Sequence, residues 1–130
     1  MDRPRVTVVR PEDRRPTPAT PGIVREAAYP GDDRWAGLAR TEPGMISGWH
    51  HHDGWDTYIY VTTGKLKLEF GPDGSEVAEG GPGDFMHVPA HAVHREGNPS
   101  DQVADLVVFR VGSGEIVVNV DGPPSPASLD

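Results

Sequence analysis

Histidine is the residue type with the clearest chemical potential in this sequence. All six histidines of the 130-residue chain lie from position 50 to position 94, and three of them are consecutive, His50, His51 and His52. On a β-strand the side chains of residues i and i+2 point to the same side, so His50 and His52 can present two imidazoles to one point. Imidazole nitrogens bind zinc and related metals at about 2.0–2.2 Å, and the spacing therefore indicates a chelating pair.

A metal bound by this pair needs a further ligand from another strand. His94 is the natural candidate because it lies far along the chain from His52, and Asp56 could supply a carboxylate. The chain has no cysteine, which excludes thiolate ligands, disulfides and thiol nucleophiles. We expect a site of His50, His52 and His94, with Asp56 either as a fourth ligand or as a proton acceptor beside the metal. A solvated histidine loop that binds metal adventitiously is the alternative.

Six other side chains near these histidines are candidates for the wall of a substrate pocket. Aromatic rings can line a pocket for a planar molecule, although each of these residues could equally serve packing. We expect His91 to lie beside the metal or at the surface, and His87 to be packed within a strand or to face the pocket. The candidates are Trp49, Trp55, Tyr58, Tyr60, His87 and His91.

Short strand-like runs separated by turns must position these residues. Glycine and proline make up 30 of the 130 residues, and because each is unfavourable inside a helix, the composition argues against an all-helical fold. The uninterrupted apolar run of residues 106–109 is typical of a strand that is buried on both faces. We predict an all-β sandwich, jelly roll or small barrel of about ten short strands. The predicted strands are Ile23–Ala28, Arg34–Arg40, Met45–His50, Thr57–Thr62, Lys65–Phe70, Glu76–Ala78, Phe85–Val88, Ala92–Arg95, Val103–Val111 and Glu115–Val120.

The length of the chain fits one domain with two extensions. Residues 1–22 contain five prolines and predict an extended arm, in which the apolar run Val6–Val9 could add to the edge of a sheet. Residues 23–120 are the predicted barrel. Residues 121–130, with the sequence DGPPSPASLD, predict a flexible tail.

The charge of the chain argues against nucleic acid as a partner. The formal net charge is −8, and residues 41–130 hold 4 basic against 14 acidic residues, so this part of the chain would repel phosphates. The N-terminal sequence lacks the apolar stretch of a signal peptide, and no run approaches the roughly 18 apolar residues of a membrane span. We therefore expect a cytoplasmic protein.

Two segments resemble the two conserved motifs of the cupin family. Residues 44–64 are similar to the first motif, G-x5-H-x-H-x3,4-E-x6-G, and residues 83–98 are similar to the second, G-x5-P-x-G-x2-H-x3-N. The matching residues are Gly44, His50, His52 and Gly64 in the first motif and Gly83, Pro89, His94 and Asn98 in the second. Two positions depart from the pattern: His91 replaces a glycine, and the glutamate is missing, with Asp56 and Thr57 nearest to its place.

The resemblance implies a jelly-roll β-barrel that holds one divalent metal, and it covers roughly residues 23–120. It implies a metal-dependent enzyme of the dioxygenase type acting on an aromatic or keto/enol substrate, with Fe(II) as the first choice of metal and Mn, Ni, Cu or Zn as alternatives. Two further functions fit it: a non-oxidative isomerase, lyase or polyketide-type cyclase with the metal as Lewis acid, and a non-catalytic binding protein. It also implies a homodimer, in which the N-terminal arm could pair with the partner's sheet.

Overall fold

Eleven β-strands and two single-turn 3₁₀ helices form the part of the chain described by the computed structural model, which is residues 3–17, 20 and 22–125. The strands are β1 Arg15–Pro16, β2 Ile23–Tyr29, β3 Arg34–Thr41, β4 His50–His51, β5 Asp56–Thr63, β6 Leu66–Phe70, β7 Glu76–Gly80, β8 Phe85–Val88, β9 His94–Gly97, β10 Ala104–Val111 and β11 Val118–Asn119. The 3₁₀ helices are Pro11–Asp13 and Pro72–Gly74.

The strands form two antiparallel sheets. The larger sheet has the order β1-β2-β3-β10-β5-β8, and the smaller has the order β11-β4-β9-β6-β7. The apolar core lies on the inner faces, because alternate residues of each long strand are buried, as in β5 and β10. The all-β jelly-roll prediction is confirmed. The buried core residues are Ile23, Ala27, Trp35, Ala39, Trp55, Ile59, Val61, Leu66, Leu68, Val88, Leu106 and Val108.

In strand β10 the apolar run of residues 106–109 is buried on one face only. Leu106 and Val108 are buried, whereas Phe109 faces outward with 53% of its surface exposed. Phe109 lies opposite Tyr58 of β5 in the register, and Tyr58 is also exposed. The prediction that this run is buried on both faces is wrong, because nothing in the described part of the chain covers the outer face of the larger sheet here.

Two of the predicted strands near the histidines have different bounds in the structure. The strand expected at Met45–His50 is reduced to an isolated bridge from Ile46 to Gly97, and regular pairing begins only at His50. The strand expected at Ala92–Arg95 begins at His94. A turn delays it: His91 has a positive φ of 63°, and its backbone N–H donates to the Asp53 carbonyl at 2.8 Å.

The N-terminal arm contributes the edge strand β1, which pairs with β2 through Arg15 and Pro16. The run Val6–Val9 is in no strand, and Val6 is 98% exposed. Parts of the predicted arm and tail, residues 1, 2, 18, 19, 21 and 126–130, lie outside the described residues, and the domain bounds stay a prediction. Within the described ranges, no helix is long and apolar enough to cross a membrane.

Gly37, in the middle of β3, is required by a close approach inside the barrel. A Cβ atom at this position would lie 2.6 Å from Cη2 of Trp35 and would also meet the Glu26 carbonyl oxygen. The absent side chain lets the Trp35 ring lie against the strand. The ring is thereby placed on the inner face of the sheet, where it is buried.

Candidate metal centre

Four buried side chains converge between the two sheets and could hold a metal ion. They are His50, His52, His94 and Glu96, and their ligand atoms all lie within 4.8 Å of one another. His50 and His94 are register partners of the paired strands β4 and β9. Glu96 follows His94 by two residues on β9, so both side chains point to the same side. His52 follows His50 by two residues, directly after the end of β4, and its side chain belongs to the same cluster.

The backbone fixes the orientation of all three imidazoles. Each Nδ1 lies within hydrogen-bond distance of a carbonyl oxygen: His50 with Gly48 at 2.9 Å, His52 with Ile116 at 2.7 Å and His94 with Ala92 at 2.9 Å. Because a carbonyl oxygen can only accept, each Nδ1 carries the hydrogen and donates it. In the neutral rings, the unprotonated Nε2 atoms are therefore left as ligands, which is the arrangement typical of metal-binding histidines.

The contacts of Glu96 indicate a cation at the centre of the cluster. Its Oε1 lies 3.3 Å from Nε2 of His50 and 3.3 Å from Nε2 of His94. A carboxylate and a neutral Nε2 are both acceptors, so these contacts are favourable only with a cation between them, either a proton or a metal ion. Three imidazole nitrogens and one carboxylate oxygen are a donor set that suits a divalent transition metal.

The protonation states of two cluster residues favour this role. Burial and, to a smaller extent, the charges of Arg110 and His94 lower the pKa of His52 to about 2, so its imidazole is neutral at physiological pH. Burial alone would raise the pKa of Glu96, but its hydrogen bonds to His50 and His94 hold that pKa well below its ordinary value. The cluster thus contains a carboxylate and a neutral imidazole that are ready to bind a metal.

Two buried arginines lie near the cluster on the larger sheet. Arg25 donates from Nη1 to Oγ1 of Thr20 at 2.7 Å, and its Nη2 lies 4.0 Å from Oε1 of Glu96. The Arg110 guanidinium lies 4.8 Å from the centre of the Trp35 ring. Burial and the charge of Arg25 lower the pKa of Arg110 to about 9, against the opposing effect of Glu96, which still leaves it cationic at neutral pH.

The carboxylate of the cluster is Glu96 and not Asp56, which corrects the sequence-based placement. Asp56 is at the start of β5, its side chain is 45% exposed, and its Oδ1 lies 2.9 Å from Nε2 of His87. Side chains alternate along β5, so the next residue, Thr57, faces the interior while Asp56 does not. Sequence reasoning missed Glu96, although its spacing from His94 repeats that of His50 and His52.

A cavity of about 360 Å³ lies between the edge strands β7 and β8 and reaches the cluster at His94. Its other lining residues include Leu68 and Phe70 from β6 and Val88 from β8. Its wall is mainly apolar, which suits the body of a small organic molecule. The cavity therefore gives a substrate-sized space next to one of the candidate metal ligands.

Of the six predicted pocket residues, His87 lines this cavity and the other five do not. Trp55 is part of the buried core, and its indole N–H donates to the Gly114 carbonyl at 3.0 Å. Tyr58 stacks on the His87 ring at 4.6 Å between centroids. The other three predicted residues contact neighbouring side chains: Trp49 contacts Arg95, Tyr60 contacts Phe85, and His91 contacts Asp53.

The sequence of the chain matches the sequence model of a protein family. The sequence model described as a cupin domain matches residues 37–110, more than half of the chain. The matched segment includes His50, His52, His94 and Glu96. The chain therefore belongs to the cupin family. None of the curated proteins compared with it matches its sequence.

Solved structures of several cupins superpose on the chain. The polyketide cyclase RemF from Streptomyces resistomycificus has a TM-score of 0.71 at 21% identity, over 94% of this chain and 90% of RemF. KdgF from Halomonas sp. has a TM-score of 0.64 at 21% identity, over 82% of this chain and 94% of KdgF. A variant of the oxalate decarboxylase OxdC from Bacillus subtilis has a TM-score of 0.69 at 20% identity, over 84% of this chain and 30% of OxdC. At these identities the similarity concerns the fold.

Proposed function

We propose that the chain is a metal-dependent enzyme that acts on a small organic molecule bound in the cavity at His94. The observation that carries this proposal is the cluster of four buried acceptor groups beside a largely apolar cavity. His50, His52, His94 and Glu96 would hold the ion. A bound divalent ion would supply Lewis acidity, which polarises a carbonyl or enol oxygen of the substrate.

Non-oxidative chemistry is the version that the comparisons support better. RemF is a polyketide cyclase and OxdC an oxalate decarboxylase, and neither name describes a dioxygenase. The substrate we propose is an aromatic or keto/enol compound, for which the apolar wall of Leu68, Phe70 and Val88 excludes water and packs against the carbon skeleton. Asp56 is not proposed as the proton acceptor, since its carboxylate is hydrogen-bonded to His87 and is not part of the cluster.

A dioxygenase is the second candidate. Four protein ligands would leave two positions on a six-coordinate ion, enough for a substrate and dioxygen. Fe(II) is the metal that this version requires, whereas Mn, Ni, Cu or Zn would also serve a Lewis-acid enzyme. A binding protein without catalysis has the same ligand set and would differ only in showing no turnover.

Metal content and turnover test these proposals. The wild-type protein, stripped with a chelator and titrated separately with Fe(II), Mn(II) and Zn(II), should bind about one ion per chain. His94→Ala should lose that binding, while the matched control His91→Ala, an exposed histidine outside the cluster, should keep it. A wild-type protein that binds none of these metals would refute the metal-dependent function.

Assays with and without dioxygen separate the two chemistries. Metal-loaded protein should be screened against enolisable keto compounds and polyhydroxylated aromatics, with product formation followed by mass spectrometry. Turnover that persists without dioxygen supports the Lewis-acid enzyme, and turnover that requires dioxygen supports the dioxygenase. No turnover of any of these compounds by a metal-loaded protein would favour the binding protein.

We also propose that two copies of the chain form a homodimer through the outer face of the larger sheet. Exposed apolar side chains lie on neighbouring strands of this face: Phe85 on β8, Tyr58 on β5, and Phe109 and Val111 on β10. Contiguous exposed apolar groups of this kind mark protein interfaces more often than solvated surface. A second copy would bury the same residues on both chains, as expected for a two-fold interface.

A further inference from the structure

Arg110 has hydrogen-bonding capacity inside the barrel that the protein does not use. The residue is 2% exposed, and neither its Nε nor its Nη1 has a hydrogen-bond partner among the described residues. Thr57, its register partner on β5, is equally buried, and within the same described part of the chain its Oγ1 is also unpartnered. A buried cation with unmet donors is costly, so the pair points to a missing acceptor.

Packing against Trp35 does not meet this need. The central carbon of the Arg110 guanidinium lies over the Trp35 ring, 4.8 Å from its centre, which is a favourable cation–π contact. The N–H groups of a guanidinium point outward in its plane, however, and that contact leaves them free. The second buried arginine differs, because Arg25 already donates to Thr20 and lies 4.0 Å from Glu96. Arg110 is therefore the arginine whose N–H groups are available to bind a ligand.

The charge of the interior also favours an anion. Among the described residues, the buried groups with a formal charge are Arg25, Arg110 and Glu96. Two guanidinium groups against one carboxylate leave one positive charge in excess, and a divalent ion with neutral imidazole ligands would raise the excess to three. Excess charge in a low-dielectric interior is unfavourable, and a bound anion would reduce it.

The register places this pair within reach of the cavity. Thr57 lies between Arg110 of β10 and Val88 of β8, and Val88 lines the cavity beside His94. Neighbouring strands are about 4.8 Å apart, so the row from Val88 through Thr57 to Arg110 spans about 10 Å at the backbone. All three residues are buried on the inner face. A ligand that extends from the cavity along this row would reach Thr57 first and then Arg110.

We propose that Arg110 and Thr57 form a subsite for the carboxylate of an organic acid that binds at the metal. This inference rests on the proposed function, because it assigns the substrate class of the same site. One of the two unpartnered donors of Arg110, Nε–H or Nη1–H, donates to a carboxylate oxygen, and Thr57 donates its hydroxyl to the same carboxylate. The apolar cavity wall takes the carbon skeleton. The substrate is therefore an organic anion and not a neutral compound.

Binding of malonate, with its uncharged diamide malonamide as the matched probe, tests the subsite. Calorimetric titration of the metal-loaded wild type should show tight malonate binding and weak malonamide binding. Arg110→Met should weaken malonate binding by roughly tenfold to a hundredfold, since it removes a hydrogen bond from a charged donor. Thr57→Val should weaken it by about two- to tenfold. Arg40→Met, which removes an exposed arginine paired with Asp105, should leave it unchanged.

Metal affinity and thermal stability distinguish this subsite from a purely structural arginine. Arg110→Met should bind metal at least as tightly as the wild type, because a positive charge near the ion is removed. Its metal-free form should melt no lower than the wild type, because an uncompensated buried charge is gone. Loss of metal binding and of stability together would make Arg110 a structural residue and overturn the proposal.

The two proposals fail in different ways. A wild type that binds metal but shows the same malonate affinity as Arg110→Met or Thr57→Val refutes the subsite and leaves the metal centre intact. A wild type that binds no metal refutes the proposed function and the subsite with it. Should Arg110→Met not fold, Thr57→Val decides, and unchanged malonate affinity in that variant counts against the subsite.

Discussion

Replacing Glu96 by glutamine separates the observed cluster from the alternative in which Asp56 binds the metal. Glu96 is buried, with Oε1 3.3 Å from Nε2 of both His50 and His94. Asp56 has a 45% exposed side chain and bonds to His87. Glutamine keeps the shape of Glu96 and loses its charge. We therefore expect Glu96→Gln to weaken metal binding and Asp56→Asn to leave it unchanged.

The size of the effect follows from the linkage between binding and stability. At a free metal concentration 1,000 times the Kd, binding raises the free energy of unfolding by about 4 kcal/mol. Removing a partner that only orients a ligand already weakens metal binding about 10–100-fold, so loss of the Glu96 carboxylate should cost at least a hundredfold. At the same metal concentration the gain then falls to about 1.4 kcal/mol.

Thermal denaturation with and without metal measures this difference. For a chain of this length, 1 kcal/mol corresponds to roughly 3–5 °C in Tm. The metal-induced rise in Tm should therefore fall from about 12–20 °C in the wild type to about 4–7 °C or less in Glu96→Gln. Each variant is compared with its own metal-free form, which removes any effect on folding alone. A full rise in Glu96→Gln together with a lost rise in Asp56→Asn would refute the cluster.

Three other measurements probe the fold and the site. Below pH 6.5 the unfolded chain protonates His52, whereas the folded, metal-free chain does not, because the pKa of His52 in the folded chain is about 2. Urea titrations should therefore show the free energy of unfolding falling by about 1.4 kcal/mol per pH unit as the pH decreases. A flat profile, or an unchanged slope in His52→Gln, would contradict this. Gly37→Ala should lower the free energy of unfolding, measured by urea denaturation, by about 1–3 kcal/mol through overpacking. Gly81→Ala should leave the free energy of unfolding unchanged, because Gly81 has open space around it. Equal losses in the two variants would refute the close approach at Gly37. Phe109→Lys should convert the proposed dimer to a monomer in light scattering, and a wild-type monomer would exclude the dimer.

Much of the fold could be predicted because alternation and turn residues act locally. Strands such as Arg34–Thr41 and Phe85–Val88 follow from their own residues, and their bounds differ little from the predicted ones. The outer face of β10 could not be predicted in this way. Phe109 and Leu106 are both apolar, and only tertiary structure shows that one is buried and the other exposed.

The candidate site was predictable in part for the same reason. The i, i+2 spacing of His50 and His52 indicates a shared face, and the same parity connects His94 with Glu96. Glu96 was missed because the motif resemblance places the acidic residue after the first histidine pair, where this chain has Asp56 and Thr57.

The interior arginines were missed for a different reason. Arg110 follows Leu106 and Val108 at the same two-residue spacing, and Arg25 lies between the inward-facing Ile23 and Ala27. Strand parity therefore places both arginines on the inner face. Arginine is nevertheless mostly found at protein surfaces, and that general preference outweighs parity when no structure is present.

The pairing of His50 with His94 across β4 and β9 makes metal binding dependent on a contact between distant parts of the chain. Closing such a long loop is entropically costly, so contacts of this kind commonly form late in folding. An ion that binds only the finished centre stabilises interactions absent from the transition state. It should slow unfolding and leave the rate of folding nearly unchanged, so that the metal sets the lifetime of the native protein more than the speed of its formation.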